Sequence, residues 1–83
     1  MKRNEVYELV DKERTRQQEL WNPPHLWGEG DCSNPNLDPR VKLAVLTEEV
    51  GEVARNLLEH QPVLTELIQV AAVAIAWAES ELT

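Results

Sequence analysis

The sequence predicts an all-α protein: a short bundle of three helices, the last two an antiparallel hairpin, completed by oligomerisation. Residues 41–59 repeat apolar side chains at three- and four-residue steps, which is the spacing of one helical face. Residues 63–78 are apolar on nearly every side, as in a helix that is buried all round. A single domain of 83 residues has little else to cover such a helix, so we expect other copies of the chain to cover it.

The first helix is predicted over residues 1–20. Its apolar side chains lie close to one face: Val6, Leu9, Val10 and Leu20. Polar side chains interrupt the second half of that face: Glu13, Arg16 and Gln17. Such an interruption is typical of a helix that extends beyond the core, or of one that lines a polar cavity. The residues alone leave both interpretations open.

Residues 21–39 form a predicted loop, because four Pro and two Gly stop both helix and strand. An irregular connection of this length tends to be functional or disordered. Trp21 and Trp27 argue against disorder, since each ring either stacks on a nucleobase or pins the loop to the core. His25 is either a ligand for a phosphate or sugar or an ordinary surface histidine. Cys32 has no predicted role.

The second helix is predicted over residues 40–60, after an Asp38 N-cap and with Pro39 at the first helical position. Its apolar stripe is expected to face the core: Leu43, Leu46, Val50, Val53 and Leu57. Arg40 and Lys42 lie in the first turn, where the helix dipole disfavours cations, and this is consistent with phosphate binding. Lys42 is favoured over Arg40 because it lies on the same side as the acidic residues.

Three carboxylates crowd one side of the second helix. Glu49 and Glu52 flank the apolar stripe, and Glu48 lies one step further round. Like charges four residues apart destabilise a helix, so the pair Glu48 and Glu52 is unusual unless a cation lies close by. The alternative is that all three face solvent.

The third helix is predicted over residues 62–82. Its early polar side chains are Thr65, Glu66 and Gln69. The short turn before it makes an antiparallel hairpin, which brings Glu66 and Gln69 roughly level with Glu49 and Glu52. A divalent metal between the two helices would satisfy Glu49, Glu52 and Glu66 together, and oxygen ligands favour Mg²⁺, Mn²⁺ or Ca²⁺.

Several segments, in the right order, resemble the MazG-like all-α nucleoside triphosphate pyrophosphohydrolases. Glu48-Glu49-x-x-Glu52, followed after thirteen residues by Glu66-x-x-Gln69, is similar to the family pattern EExxE…ExxD. The segment ERTRQQELW is similar to the family's ERxRQ…W. The resemblance covers roughly residues 13–80. Gln69 departs from it, because it offers a neutral carbonyl oxygen where the family has an Asp.

The resemblance implies hydrolysis of a (d)NTP between its α- and β-phosphates, giving (d)NMP and pyrophosphate. It implies Mg²⁺, with Mn²⁺ as an alternative, and it favours a first helix that lines a polar cavity. The implied metal ligands are Glu49, Glu52, Glu66 and Gln69. Glu48 is the implied catalytic residue, which orients or deprotonates the attacking water. The residues expected to bind the substrate are Gln17, Trp21, His25 and Lys42.

Charge and composition exclude other classes. The net charge of −7 argues against a nucleic-acid surface and against binding to anionic membranes. A lone cysteine cannot form an internal disulfide, and no apolar run follows the first residues, so a cytoplasmic setting is expected. Two alternatives remain: a non-catalytic acidic helical module for oligomerisation or interaction, and a phosphoribosyl-ATP pyrophosphohydrolase. We expect a homo-oligomer, either a dimer or a tetramer.

Overall fold

Three α-helices make up the secondary structure of the computed structural model, which describes residues 1–82. They are α1 (Lys2–Leu20), α2 (Pro39–Leu58) and α3 (Leu64–Glu81). Each bound lies within two residues of the predicted ranges 1–20, 40–60 and 62–82. Within the described part of the chain there is no strand beyond an isolated bridge between His25 and Gly28, so the all-α prediction is confirmed.

The third helix is central and packs against both others. A cluster of Val10, Ile68 and Ala72 joins α1 to α3. Half-buried Val45 and Leu46 of α2 pack on a second cluster, which contains Cys32, Val73 and Ala76. Across residues 1–82, α1 and α2 do not pack against each other, so a gap opens between them on one side of α3. No helix in this part of the chain combines the length and the hydropathy of a membrane span.

The ends of α2 follow from local chemistry. The Asp38 carboxylate accepts a hydrogen bond from the Arg40 backbone N–H at 2.9 Å, and Pro39 opens the helix, as predicted. At the other end His60 has a positive φ of 57°. The Gln61 N–H donates to the Asn56 carbonyl at 2.7 Å, and the His60 N–H donates to Leu57 at 3.2 Å. This is the Schellman arrangement, and it turns the chain into α3.

The apolar stripe of α2 faces the core only in part. Leu46 and Val53 are half-buried, but Leu43, Val50 and Leu57 are 54%, 50% and 60% exposed. The expectation that all five face the core is therefore wrong for a single chain. The helix is rotated so that Lys42 is its buried residue, and one edge of the apolar stripe is left in solvent.

The loop between α1 and α2 is anchored by residues other than its tryptophans. Cys32 and Leu37 are buried, whereas Trp21 and Trp27 are 37% and 56% exposed. Cys32, which had no predicted role, packs in the core beside Val73 and Ala76, and burial raises the pKa of its thiol. The two tryptophan rings are consequently not the plugs that hold the loop.

A buried ion-pair network also holds this loop. The Arg14 guanidinium reaches Asp31 Oδ2 at 2.6 Å and Glu79 Oε2 at 2.6 Å. Arg14 and Asp31 are almost fully buried, whereas Glu79 is half-exposed. Because the three residues belong to α1, the loop and α3, the network fixes the loop to both helices. The loop therefore forms a defined wall above the gap between α1 and α2.

Candidate functional site

A cleft of about 700 Å³ occupies the gap between α1 and α2. This volume is typical of sites that hold a small molecule or cofactor. Much of its surface is apolar, with contributions from Leu37, Val41, Ala44, Val45 and Val73. Polar and aromatic side chains on three elements complete it: Arg16 and Gln17 on α1; Trp21, His25, Trp27 and Asp31 at or beyond its end; Arg40, Glu48 and Glu49 on α2.

Aromatic rings form the loop side of the cleft. Trp21 and His25 meet edge to face, with ring centroids 5.2 Å apart, and Trp27 lies 6.4 Å from His25. His25 Nε2 is 2.8 Å from the Gly30 carbonyl oxygen. A carbonyl only accepts, so Nε2 donates, and Nδ1 accepts from the Trp27 N–H at 3.4 Å. Both ring nitrogens are thus used within the loop, so His25 shapes the aromatic wall and is not free to bond a phosphate or sugar.

The α1 side of the cleft is a linked set of polar residues. Arg16 donates two hydrogen bonds of 2.7 Å to the Glu13 carboxylate. Buried Gln17 donates to the same carboxylate at 3.0 Å. The hydrogen bond from Arg16 lowers the pKa of Glu13 despite its burial. The structure therefore places Gln17 in the cleft wall, which agrees with the polar lining that the resemblance favoured and that the interrupted apolar face left open.

The α2 side carries the Glu49 carboxylate, one oxygen of which has no hydrogen-bond partner in the described part of the chain. Glu49 is half-buried, and its Oε2 has no hydrogen-bond partner among residues 1–82. Burial raises its pKa to about 7, and the charge of Glu52 and a hydrogen bond with Glu52 add to the effect. The charges of Glu48 and Glu13 raise it further. Carboxylates from two helices thus surround Glu49, and its buried oxygen lacks a donor or cation.

The predicted metal ligands are brought together only in part. Glu49 and Glu52 interact directly, and exposed Glu48 joins Glu49 in the cleft wall. Glu66 and Gln69 are half-buried in α3, and neither lines the cleft. No group of three or more His, Cys, Asp or Glu side chains within residues 1–82 has a metal-binding arrangement. The role of Glu66 and Gln69 as ligands therefore stays a prediction.

The residues around Glu49 nevertheless fit a divalent cation. An unpartnered buried carboxylate oxygen beside other carboxylates is the donor chemistry that Mg²⁺ or Mn²⁺ takes. One positive ion there would offset both the burial that chiefly raises the pKa of Glu49 and the repulsion by its acidic neighbours. Glu49 and Glu52 are the residues that would hold it.

The structure places Lys42 elsewhere than predicted. Its side chain is 2% exposed, and its Nζ donates to the Ser80 hydroxyl at 2.7 Å. The amine therefore joins α2 to α3 and does not line the cleft. Lys42 lies on the side of α2 that packs on α3, which sequence spacing did not separate from the side that faces the cleft. Among residues 1–82, the cationic side chains in the cleft wall are Arg16 and Arg40.

Two features of the site were missed from the sequence. Arg14 follows buried Val10 by four residues, so its place on the core side of α1 was a readable signal of a buried charge. Its partners Asp31 and Glu79 lie 17 and 65 residues away, and only the fold brings them together. The proximity of Glu13 to Glu49 likewise depends on how α1 and α2 are placed around α3.

Comparison of the chain with protein-family models, with curated proteins and with solved structures found no match. The MazG-like resemblance therefore stays a prediction. The cleft and its residues are therefore the basis for assigning a function to this protein.

Proposed function

We propose that this protein is a Mg²⁺-dependent nucleoside triphosphate pyrophosphohydrolase, which hydrolyses a (d)NTP to (d)NMP and pyrophosphate. The observation that carries the proposal is the position of Glu49. Its carboxylate, whose Oε2 has no hydrogen-bond partner among residues 1–82, lies on the α2 side of a cleft whose loop side is aromatic. A nucleotide has both of the matching parts, a planar base and a polyphosphate that carries a divalent cation.

The aromatic side of the cleft is suited to the base. Trp21 and Trp27 are 37% and 56% exposed, and the His25 ring lies close to both, with ring centroids 5.2 Å and 6.4 Å away. Stacking of a base on an aromatic ring contributes about 1–3 kcal/mol and tolerates any base. Gln17 adds a polar group from the α1 side of the cleft, where its amide oxygen can accept a hydrogen bond from a base edge or a sugar.

The acidic side is suited to the reacting phosphates. A Mg²⁺ held by Glu49 and Glu52, with Glu66 and Gln69 as expected additional ligands, would neutralise charge on the phosphate oxygens. Glu48 is exposed in the cleft wall and is proposed to orient or deprotonate the attacking water. The adjacent Glu49 is half-buried with a buried Oε2, which fits a binding role.

A non-catalytic acidic helical module is the second candidate function. The exposed apolar edge of α2 favours it, because Leu43, Val50 and Leu57 offer a surface for another helix. The same edge supports homo-oligomerisation of an enzyme, as a dimer or tetramer. We propose that this enzyme acts in the cytoplasm. Phosphoribosyl-ATP is an alternative substrate for the same cleft, because it too joins a base to a triphosphate.

The test is release of pyrophosphate from each NTP and dNTP and from phosphoribosyl-ATP, with Mg²⁺ and separately with Mn²⁺. We expect release with at least one substrate, and a loss of about 100-fold or more in Glu49→Gln. Glu59→Gln is the matched control, since it removes the same charge from an exposed position outside the cleft. Absence of release from every substrate with both metals, by a folded protein, would favour the module.

A further inference from the structure

A polyphosphate in the cleft needs a cationic side chain to bind it, and Lys42 does not line the cleft. We infer that Arg16 binds the phosphate tail of the substrate, and that Glu13 holds it in the cleft wall until the substrate arrives. This inference rests on the proposed function for the identity of the ligand.

The position of Arg16 makes it a suitable ligand for the phosphate tail. It lines the cleft from α1, as Glu48 and Glu49 do from α2. The hydrogen bond with Glu13 is the main cause that raises the pKa of its guanidinium, and the charge of Glu49 adds to it. A polyphosphate that approaches Glu48 and Glu49 therefore comes within reach of Arg16. An arginine also suits this role because its planar fork binds two phosphate oxygens at once.

Arg40 is the other candidate, and it is tied to a local task. Its guanidinium pairs with Asp38 at 2.7 Å, and its backbone N–H is held by the same carboxylate in the N-cap of α2. Its side chain is 91% exposed and lies two turns before Glu48. Arg16, in contrast, is 55% exposed and lies near the carboxylate that is proposed to hold the cation.

The contact with Glu13 can be exchanged for a contact with phosphate. Arg16 and Glu13 are three residues apart on one helix, and the Arg16 side chain is 55% exposed, so it can turn from Glu13 toward an anion in the cleft. A triphosphate offers several negative charges in place of one. Gln17 continues to donate to Glu13 after Arg16 leaves, so the half-buried carboxylate keeps one partner. Exchange of Arg16 from Glu13 to phosphate therefore leaves the Glu13 carboxylate with a hydrogen bond from Gln17.

Two substitutions test the inference in opposite directions. The probe is inorganic tripolyphosphate, titrated calorimetrically into the full chain without divalent metal at low salt. Arg16→Ala should weaken binding about tenfold, because it removes a charge-assisted bidentate contact. Glu13→Gln should strengthen binding about threefold, because it frees Arg16 and removes a repelling charge.

A matched pair controls for overall charge and helix stability. Arg55 and Glu59 form an ion pair on α2 outside the cleft, so Arg55→Ala and Glu59→Gln make the same charge changes there. Both should change binding less than twofold. If Arg16 were merely structural, both Arg16→Ala and Glu13→Gln would weaken binding; that result, or wild-type binding by Arg16→Ala, overturns the inference.

Parallel hydrolysis assays separate this inference from the proposed function. If the wild type releases pyrophosphate while Arg16→Ala keeps the wild-type KM and tripolyphosphate affinity, the inference fails and the proposed function stands. If tripolyphosphate binding follows the expected pattern but no nucleotide is hydrolysed, Arg16 remains the anion-binding residue and the proposed function fails. In the supporting case, Arg16→Ala raises KM more than it lowers kcat.

Discussion

At the scale of the residue, the fold changes the protonation of Glu49. Its pKa rises from an ordinary 4.5 to about 7, chiefly because of burial and then because of Glu52. The folded state therefore holds this proton more tightly than the unfolded chain does. The contribution of Glu49 to folding stability is greatest below pH 4.5, falls as the pH rises to about 7, and is constant above that.

Replacement of this carboxyl by an amide should remove that pH dependence. We expect Glu49→Gln, without divalent metal, to be more stable than the wild type at pH 8 by on the order of 1 kcal/mol, since water screens part of the repulsion. At pH 4 the two proteins should be nearly equal. Urea unfolding at both pH values measures the difference. A Glu49→Gln protein that is less stable than the wild type at pH 8 would show that the carboxylate has a favourable partner.

Single residues also mark how far the sequence predicts the site. Gln17, Trp21 and Glu48 lie in the cleft wall, as the resemblance implied. Lys42 does not, because its side of α2 packs on α3. The buried ion pairs of Arg14 were missed because its partners, Asp31 and Glu79, are far away along the chain.

At the scale of the element, the turn between α2 and α3 carries a local strain. His60 adopts a φ of 57°, a left-handed conformation that costs a residue with a side chain about 1–2 kcal/mol and costs glycine little. We expect His60→Gly to stabilise the fold by about 0.5–1 kcal/mol, because the Schellman hydrogen bonds at this helix end are kept. Thermal unfolding measures the gain.

His60→Ala is the control for this prediction. It removes the same imidazole but keeps the Cβ atom, so it should not reproduce the stabilisation. If His60→Gly melts at or below the temperature of His60→Ala, the strain does not exist or the imidazole makes a contact that offsets it.

The elements themselves were well predicted, because their signals are local. Asp38 and Pro39 begin α2 through a hydrogen bond and a fixed φ, and both effects act within one turn. The rotation of α2 was not predicted, because the same apolar stripe fits a core position or an interface between copies. The burial of Lys42 shows how the helix is rotated, and its hydrogen-bond partner Ser80 lies 38 residues away in the sequence.

At the scale of the whole molecule, the exposed edge of α2 predicts self-association. Leu43, Val50 and Leu57 recur at seven-residue intervals along one edge and are each at least half exposed. We expect light scattering to give the mass of a dimer or tetramer, and Val50→Glu to shift the protein toward the monomer. A monomeric wild type at high protein concentration, or an unchanged mass in Val50→Glu, would contradict this prediction.

The cleft is a property of the whole molecule, so only its separate parts could be predicted from the sequence. Periodicity predicted three helices and their polar faces, but the gap exists because α1 and α2 both pack on α3 and not on each other. That arrangement sets Glu13 and Arg16 near Glu49. No pattern within one helix contains this information.

We propose that the carboxylates around Glu49 hold a divalent cation at the cleft. Calorimetric titration of Mg²⁺ at pH 6.5, in two buffers of different ionisation enthalpy, tests this proposal. We expect binding that releases protons, because much of Glu49 is protonated at this pH, and at least a tenfold loss of affinity in Glu49→Gln. Equal Mg²⁺ affinity in the two proteins, or binding without proton release, would contradict it.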